Sequence, residues 1–411
     1  MRTAGWRLAV STSLLPLVVA SSACFGELPN PLFWASEAEF RKVVDDGQFD
    51  PHLELHLLQY ASDPRWAADW AANRYSGNGL FGEYGSTTAR ALFVNSQIAL
   101  NLFPLERLQI RYERRDYQDG RFDLTDQRLD VLWYPGPGWA VLISGWPTHL
   151  KDQASAGLGL RIGAPKSRHG LVLRVVNDRF IWNEKTEESV RFASAPVRLQ
   201  ADGFLESGRW RVHGSVDYGL RYEAVDGAGL STEGSQRFAD VGAAYRSGDW
   251  EAGARVTAAS RRRRQADEAG SVHELDRSWA RVALFLRKRL GAWTAHGLVG
   301  GAWQRDDFSS PANPDGSYAM DSVLFGVEGG RRVWKGLELR LGYLGSTRKA
   351  SRSAAGPILD PDRNESDYVD KAHLRALYEF EPDRVSIELL LSQTVGGSRF
   401  GGGSVKARLI F

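Results

Sequence analysis

Cysteine is all but absent. Cys24 is the only one among 411 residues, which excludes an intramolecular disulfide and any cysteine-built metal site. Long apolar runs are scarce too. The only candidate, Leu8 to Ala20, is interrupted by Pro16 and falls short of the roughly 20 apolar residues that a membrane-spanning helix needs. Any insertion into a membrane must therefore use strands. Excess charge is also missing: 52 Lys and Arg stand against 50 Asp and Glu, and a net +2 gives no electrostatic footprint for nucleic acid.

What is present begins with an export pattern. Arg2 and Arg7 precede the apolar run, and Ser21, Ser22 and Ala23 follow it, so residues 1–23 read as a secretory signal. Cys24 then allows two readings, cleavage near residues 23–26 or a lipidated first residue. Lipoprotein signals usually carry Leu or a similar residue three positions earlier, where this chain has Ser21, which favours plain cleavage.

The rest of the chain alternates with period two. Seventeen runs are expected as strands, near 90–103, 106–117, 124–134, 139–146, 155–163, 170–178, 190–205, 209–222, 236–246, 250–260, 277–288, 293–305, 322–331, 337–348, 368–380, 384–394 and 403–411. One of them sets Trp210, Val212, Gly214, Val216, Tyr218, Leu220 and Tyr222 against Arg211, His213, Ser215, Asp217 and Arg221. Short turns such as Ser247-Gly248-Asp249 and Leu290-Gly291-Ala292 alternate with polar loops near 147–154, 179–189, 223–235, 261–276, 306–321 and 349–367. Such alternation is the habit of an all-β, up-and-down antiparallel transmembrane barrel.

An even strand count requires one more ascending strand before residue 90. His52 to Tyr60 supplies the candidate, with Leu53, Leu55 and Leu57 alternating against Glu54 and His56. That gives about eighteen strands over residues 52–411, a short periplasmic segment over 24–51, and a first external loop over 63–88. Trp139, Trp210, Trp250 and Trp293 each begin a strand after a short turn, and Phe411 ends the last one, so these five are expected as a membrane girdle. The final run, with Val405, Ala407, Leu409 and Phe411 on one face, resembles the terminal aromatic assembly signal of bacterial outer-membrane barrels. That resemblance implies the outer membrane of a Gram-negative bacterium, with its lipid, its lipopolysaccharide and its barrel-assembly machinery as partners. A soluble propeller is the competing fold, since Trp210, Trp250 and Trp293 recur about every 40 residues, but a blade needs four strands per repeat and this chain offers two.

If the apolar faces meet lipid, the opposite faces line the lumen. They carry Arg107, Arg111, Arg128, Arg161, Arg174, Arg198, Arg211, Arg221, Arg255, Arg281, Arg340, Arg375 and Arg408, together with Arg287, Lys371 and Lys406. Glu113, Asp130, Asp202, Asp217, Glu251, Glu328, Glu338, Glu379 and Glu388 share that side. Arginine keeps its charge, presents a planar fork of donors and stacks on rings, so such a ladder suits the passage of an anionic or carbohydrate solute. The plainer alternative pairs these arginines with the acids across neighbouring strands, with about half expected to be so engaged.

Other motifs carry less. Arg261 to Arg264 falls in an expected external loop, where it could hold lipopolysaccharide phosphates. Asp360, Asp362 and Asn364 begin like a calcium loop, but Glu365 replaces the required glycine and Lys371 the closing carboxylate. His213, His296 and His373 lie on separate strands, only His213 and His373 in clear lumen phase, with no serine or carboxylate pair beside them; no catalysis, cofactor or metal is expected. Barrel size and arginine-rich lumen together resemble the alginate-export and exopolysaccharide-secretion barrels. The resemblance is architectural and implies export of a polysaccharide, with a periplasmic polysaccharide-export protein as partner. A general or anion-selective diffusion porin is the alternative.

Overall fold

The computed structural model describes residues 76–411 apart from 89–90, 120–122, 148–153, 178–189, 195, 227–228, 312–313, 354–364, 382–383 and 396–399. Its strands are β1 (Gly79–Thr88), β2 (Ala91–Leu105), β3 (Leu108–Asp119), β4 (Asp123–Gly136), β5 (Trp139–Trp146), β6 (Ser155–Ile162), β7 (His169–Asn177), β8 (Val190–Ser194), β9 (Val197–Ser207) and β10 (Trp210–Asp226). They continue as β11 (Ser231–Ser247), β12 (Trp250–Ala266), β13 (Val272–Leu290), β14 (Trp293–Ser309), β15 (Gly316–Trp334), β16 (Leu337–Ser353), β17 (Glu365–Glu381), β18 (Val385–Thr394) and β19 (Phe400–Ile410). β8 and β9 both pair with β10 and form one stave, broken beside Pro196, which has no N–H to give to a ladder. Eighteen antiparallel staves result.

The ring is closed. β1 pairs with β19, Leu80 opposite Leu409 and Tyr84 opposite Val405, and on its other side with β2, Leu80 opposite Ile98. Closure leaves no edge, as a membrane-spanning sheet demands. At the seam the Asn78 N–H donates to the Phe411 carbonyl at 2.8 Å and the Phe411 N–H returns to the Asn78 carbonyl at 3.0 Å. Gly85 allows the close approach here, since a Cβ would strike the Gly403 carbonyl and Ser404.

The first stave is where the sequence expectation needs correction. The sheet closes on Gly79–Thr88, within the segment read as the first external loop, and His52 to Tyr60 lies outside the described residues. Physically, Gly79–Thr88 carries three glycines and only Leu80 and Tyr84 as large outward side chains. Its strand character comes from two neighbouring backbones rather than from its own alternation.

One end of the barrel carries the tight connections. Gly208, Gly248, Gly291 and Gly336 have φ of +57°, +56°, +62° and +82° there, a conformation that two-residue hairpin turns require and glycine adopts without strain. At the opposite end β11 through β15 run further than expected, each 17 to 19 residues long. Most of the expected loops at 223–235, 261–276 and 306–321 is therefore strand. Arg261 to Arg264 belongs to β12, with Arg261 and Arg263 directed inward and Arg262 and Arg264 outward.

Candidate functional site

Alternation sorts the side chains onto two surfaces. The outward one is apolar and open: Ile143 is 57%, Leu158 65% and Leu341 67% exposed, and similar residues circle the barrel. An apolar surface of that extent is tolerable only against lipid. Trp139, Trp210, Trp250, Trp293 and Phe411 all stand exposed at the short-turn end. Lys288 lies 4.4 Å from the Trp250 ring and Arg331 5.1 Å from the Trp293 ring, so each indole has a cation beside it at that level. Nearer the other end the outward face turns ionic, with Arg264–Glu274 at 2.9 Å and Arg305–Asp321 at 2.7 Å. These features define a membrane-spanning β-barrel of the outer-membrane type.

The inward surface holds eleven of the thirteen candidate arginines. Arg107 is not among them: it occupies the tight turn between β2 and β3, exposed, and Gln109 is the first inward residue of β3. Arg221 is not either. A β-bulge between Gly219 and Tyr222 reverses the phase of β10, turning Arg221 outward to pair with Glu233 at 2.5 Å.

The remaining arginines build two ionic belts near the short-turn end. On β3 to β10, Asp130 accepts from Arg111 at 2.8 Å and lies 3.2 Å from Arg128 and 3.3 Å from Arg174; Arg174 also reaches Asp202 at 2.6 Å, and Glu113 bridges Arg111 and Arg128. Arg198 pairs with Asp217 at 2.7 Å and Arg211 lies 3.5 Å from Glu206. Arg161 donates instead to the Gln109 amide oxygen at 2.9 Å, to the Tyr134 hydroxyl and to the Ala164 carbonyl at 3.1 Å. Between the belts, on β11 and β12, Asp240 takes Arg255 at 2.8 Å and His213 at 3.4 Å.

The second belt spans β12 to β19 and β1. Glu328 receives Arg375 at 2.9 Å and His373 at 2.6 Å, with Arg340 at 3.8 Å; Arg340 also binds Glu338 at 2.9 Å. Lys406 bridges Glu83 at 3.3 Å and Glu388 at 3.6 Å. A recess of about 860 Å³, measured with its open side, lies along this belt and is lined by Glu251, Arg287, His296, Glu328, Arg340, Arg375, Glu388 and Arg408 among others. Arg281 projects inward from β13 opposite Thr257, above the recess.

The wall gains charges of both signs beyond those the strand phases implied: Glu83, Asp240 and Asp306 are inward, and so are Arg261, Arg263 and Arg277, whereas Arg107 and Arg221 leave the lumen. Eight of the eleven inward candidate arginines, all but Arg161, Arg281 and Arg408, make an ion pair named above. Sequence reasoning missed Asp240 although its phase with Arg255 on the facing strand was readable, and it missed Glu83 because β1 itself was missed. His296, opposite Arg287 and Glu328, is inward as well. Asp360, Asp362 and Asn364 lie outside the described residues.

No protein family and no curated protein sequence matches the chain. Among solved structures, it is similar to the COG4313 outer membrane channel from Pseudomonas putida F1 at 10% identity, covering 82% of this chain and 96% of that one, with a TM-score of 0.36. A loop-deletion form of OmpT, an outer membrane protein of Vibrio cholerae, shares 11% identity over 81% of this chain and 97% of its own, TM-score 0.33. A bacterial polysaccharide outer membrane secretin shares 8% over 82% and 99%, TM-score 0.35. Function is therefore argued from the chain's own geometry.

Proposed function

We propose that this protein is an outer-membrane channel and that its cargo is a carbohydrate polymer moving outward. The observation that carries the reading is the recessed belt of β12 to β19, where guanidinium, ammonium and carboxylate groups alternate across adjacent staves. A wall of one sign would bind and hold a counter-ion. A wall of mixed sign offers many donors and acceptors to hydroxyl-rich rings with no single deep trap. Arg287 and Arg408 form the polymer-facing donors, and Glu328, Glu338 and Glu388 hold the buried Arg340 and Arg375 behind them. Lipopolysaccharide surrounds the ionic outer rim, the barrel-assembly machinery inserts the protein, and a periplasmic polysaccharide-export protein delivers the polymer to the short-turn end.

The test is a clean deletion strain compared with its parent and a complemented strain, measuring extracellular and periplasmic polysaccharide. Loss outside, with retention or shutdown inside, supports export. Unchanged secretion sinks it in favour of a second reading, a diffusion porin for small solutes. That reading draws on the ion pairing of most inward arginines, which stiffens a wide pore just as well.

A further inference from the structure

The short-turn end of the barrel is not uniform in charge. From β12 to β16 it carries Lys288, Arg289, Arg331, Arg332 and Lys335, and none of the five makes an ion pair among the described residues. The one acid in the turns of this arc is Asp249, whose backbone carbonyl accepts from the Arg289 N–H at 2.9 Å. Elsewhere on the same rim cations have acids beside them, Arg168 with Glu206 at 2.6 Å and Arg384 with Glu381 at 3.1 Å. The surplus is therefore local to one arc.

Two of the five cations stand on the outward surface, against the indoles of the girdle. Lys288 is opposite Trp250 in register with its ammonium 4.4 Å from the ring, and Arg331 is opposite Trp293 with its guanidinium 5.1 Å from the ring. Leu286, Leu290 and Val333 around them are exposed. The two charges thus sit where the apolar band ends, at the depth of lipid headgroups rather than in open water. The anion abundant at that depth is a phosphodiester, which a guanidinium binds through two parallel N–H donors and an ammonium as a point charge.

The surface between the two cations has room for such a group. Ala295 lies opposite Lys288 and Gly329 opposite Ala295, and a Cβ added at Gly329 would meet nothing within 4 Å. One row further into the apolar band, Gly297 is flanked by Leu286 and Val327, both exposed, which suits an acyl chain.

We propose that this outward arc of β12 to β15 binds an anionic phospholipid of the periplasmic leaflet, the leaflet that meets the short turns of such barrels. Lys288 and Arg331 hold its phosphate over Ala295 and Gly329, and its chains follow Leu286 and Val327. Arg289, Arg332 and Lys335 add the field that selects a net negative headgroup over a zwitterionic one. The site does not depend on which solute the channel carries.

Native mass spectrometry of the intact protein in detergent, titrated with phosphatidylglycerol or phosphatidylcholine, tests it. The parent should bind phosphatidylglycerol more tightly, and Lys288→Gln with Arg331→Gln should weaken that binding roughly tenfold while leaving phosphatidylcholine unchanged. Arg264→Gln with Arg305→Gln removes the same charge from the opposite rim and should keep parental binding. Equal affinity of the parent for the two lipids would overturn the site, and so would an equal loss in the two double variants. Arg331→Gln alone decides the matter if the first double variant misfolds: a loss of about threefold supports the site, and parental binding overturns it.

Discussion

Two arcs of one barrel stand at the same height and differ in what they offer. On β4 to β9 the inward face is partly apolar and largely buried, with Arg161 donating to neutral oxygens. On β12 to β19 it alternates charged groups with buried apolar ones such as Leu275, Met320 and Leu324, and it bounds an open recess. Staves differ as well: β5, β6 and β7 have eight or nine residues, β13 and β15 have 19. The first arc gathers its guanidinium groups around one shared aspartate, whereas the second leaves part of its charged wall open.

The largest effect should come from the buried arc. Asp130 is buried among Arg111, Arg128 and Arg174, so Asp130→Ala leaves Arg111 and Arg128 to share Glu113 and Arg174 with Asp202 alone; a loss of about 3 kcal/mol follows, read as a lower denaturant midpoint in micelles. Glu328→Gln, in the recessed arc, keeps a hydrogen-bonding oxygen and borders open lumen. It should cost clearly less, and an equal or larger loss would erase the contrast between the arcs.

A smaller effect is expected at the girdle. Trp293→Ala removes an exposed indole and with it the contact to the Arg331 guanidinium, about 0.5–1 kcal/mol for the cation–π interaction, measured in lipid vesicles by the same unfolding transition. Smallest is the outer rim. Arg264→Ala breaks an ion pair whose side chains are both nearly half exposed, so folding stability should change by less than about 1 kcal/mol and the difference should shrink in high salt.

Most of the architecture was legible because outward faces must be apolar and turns must be short at one end, and both constraints are written locally. The expected strands at 139–146 and 155–163 match β5 and β6 to within a residue. Where legibility failed, the determinant was not local. β1 is glycine-rich and exists because β19 and β2 flank it, and the bulge that turns Arg221 outward is a feature of pairing, not of residue type. The lumen was legible as a set of phases but not as a set of partners. Arg161 and Arg174 look alike in sequence, yet one serves neutral oxygens and the other two aspartates. The difference depends on which staves stand side by side.

The most direct test of the passage is secretion by a strain whose only copy carries Arg287→Gln and Arg408→Gln, two substitutions in the recessed belt that leave Glu328 with Arg340, Arg375 and His373. With the barrel inserted and folded as in the parent, extracellular polysaccharide should fall several-fold while the periplasmic pool rises. Parental secretion from that strain would contradict a passage along the recessed arc.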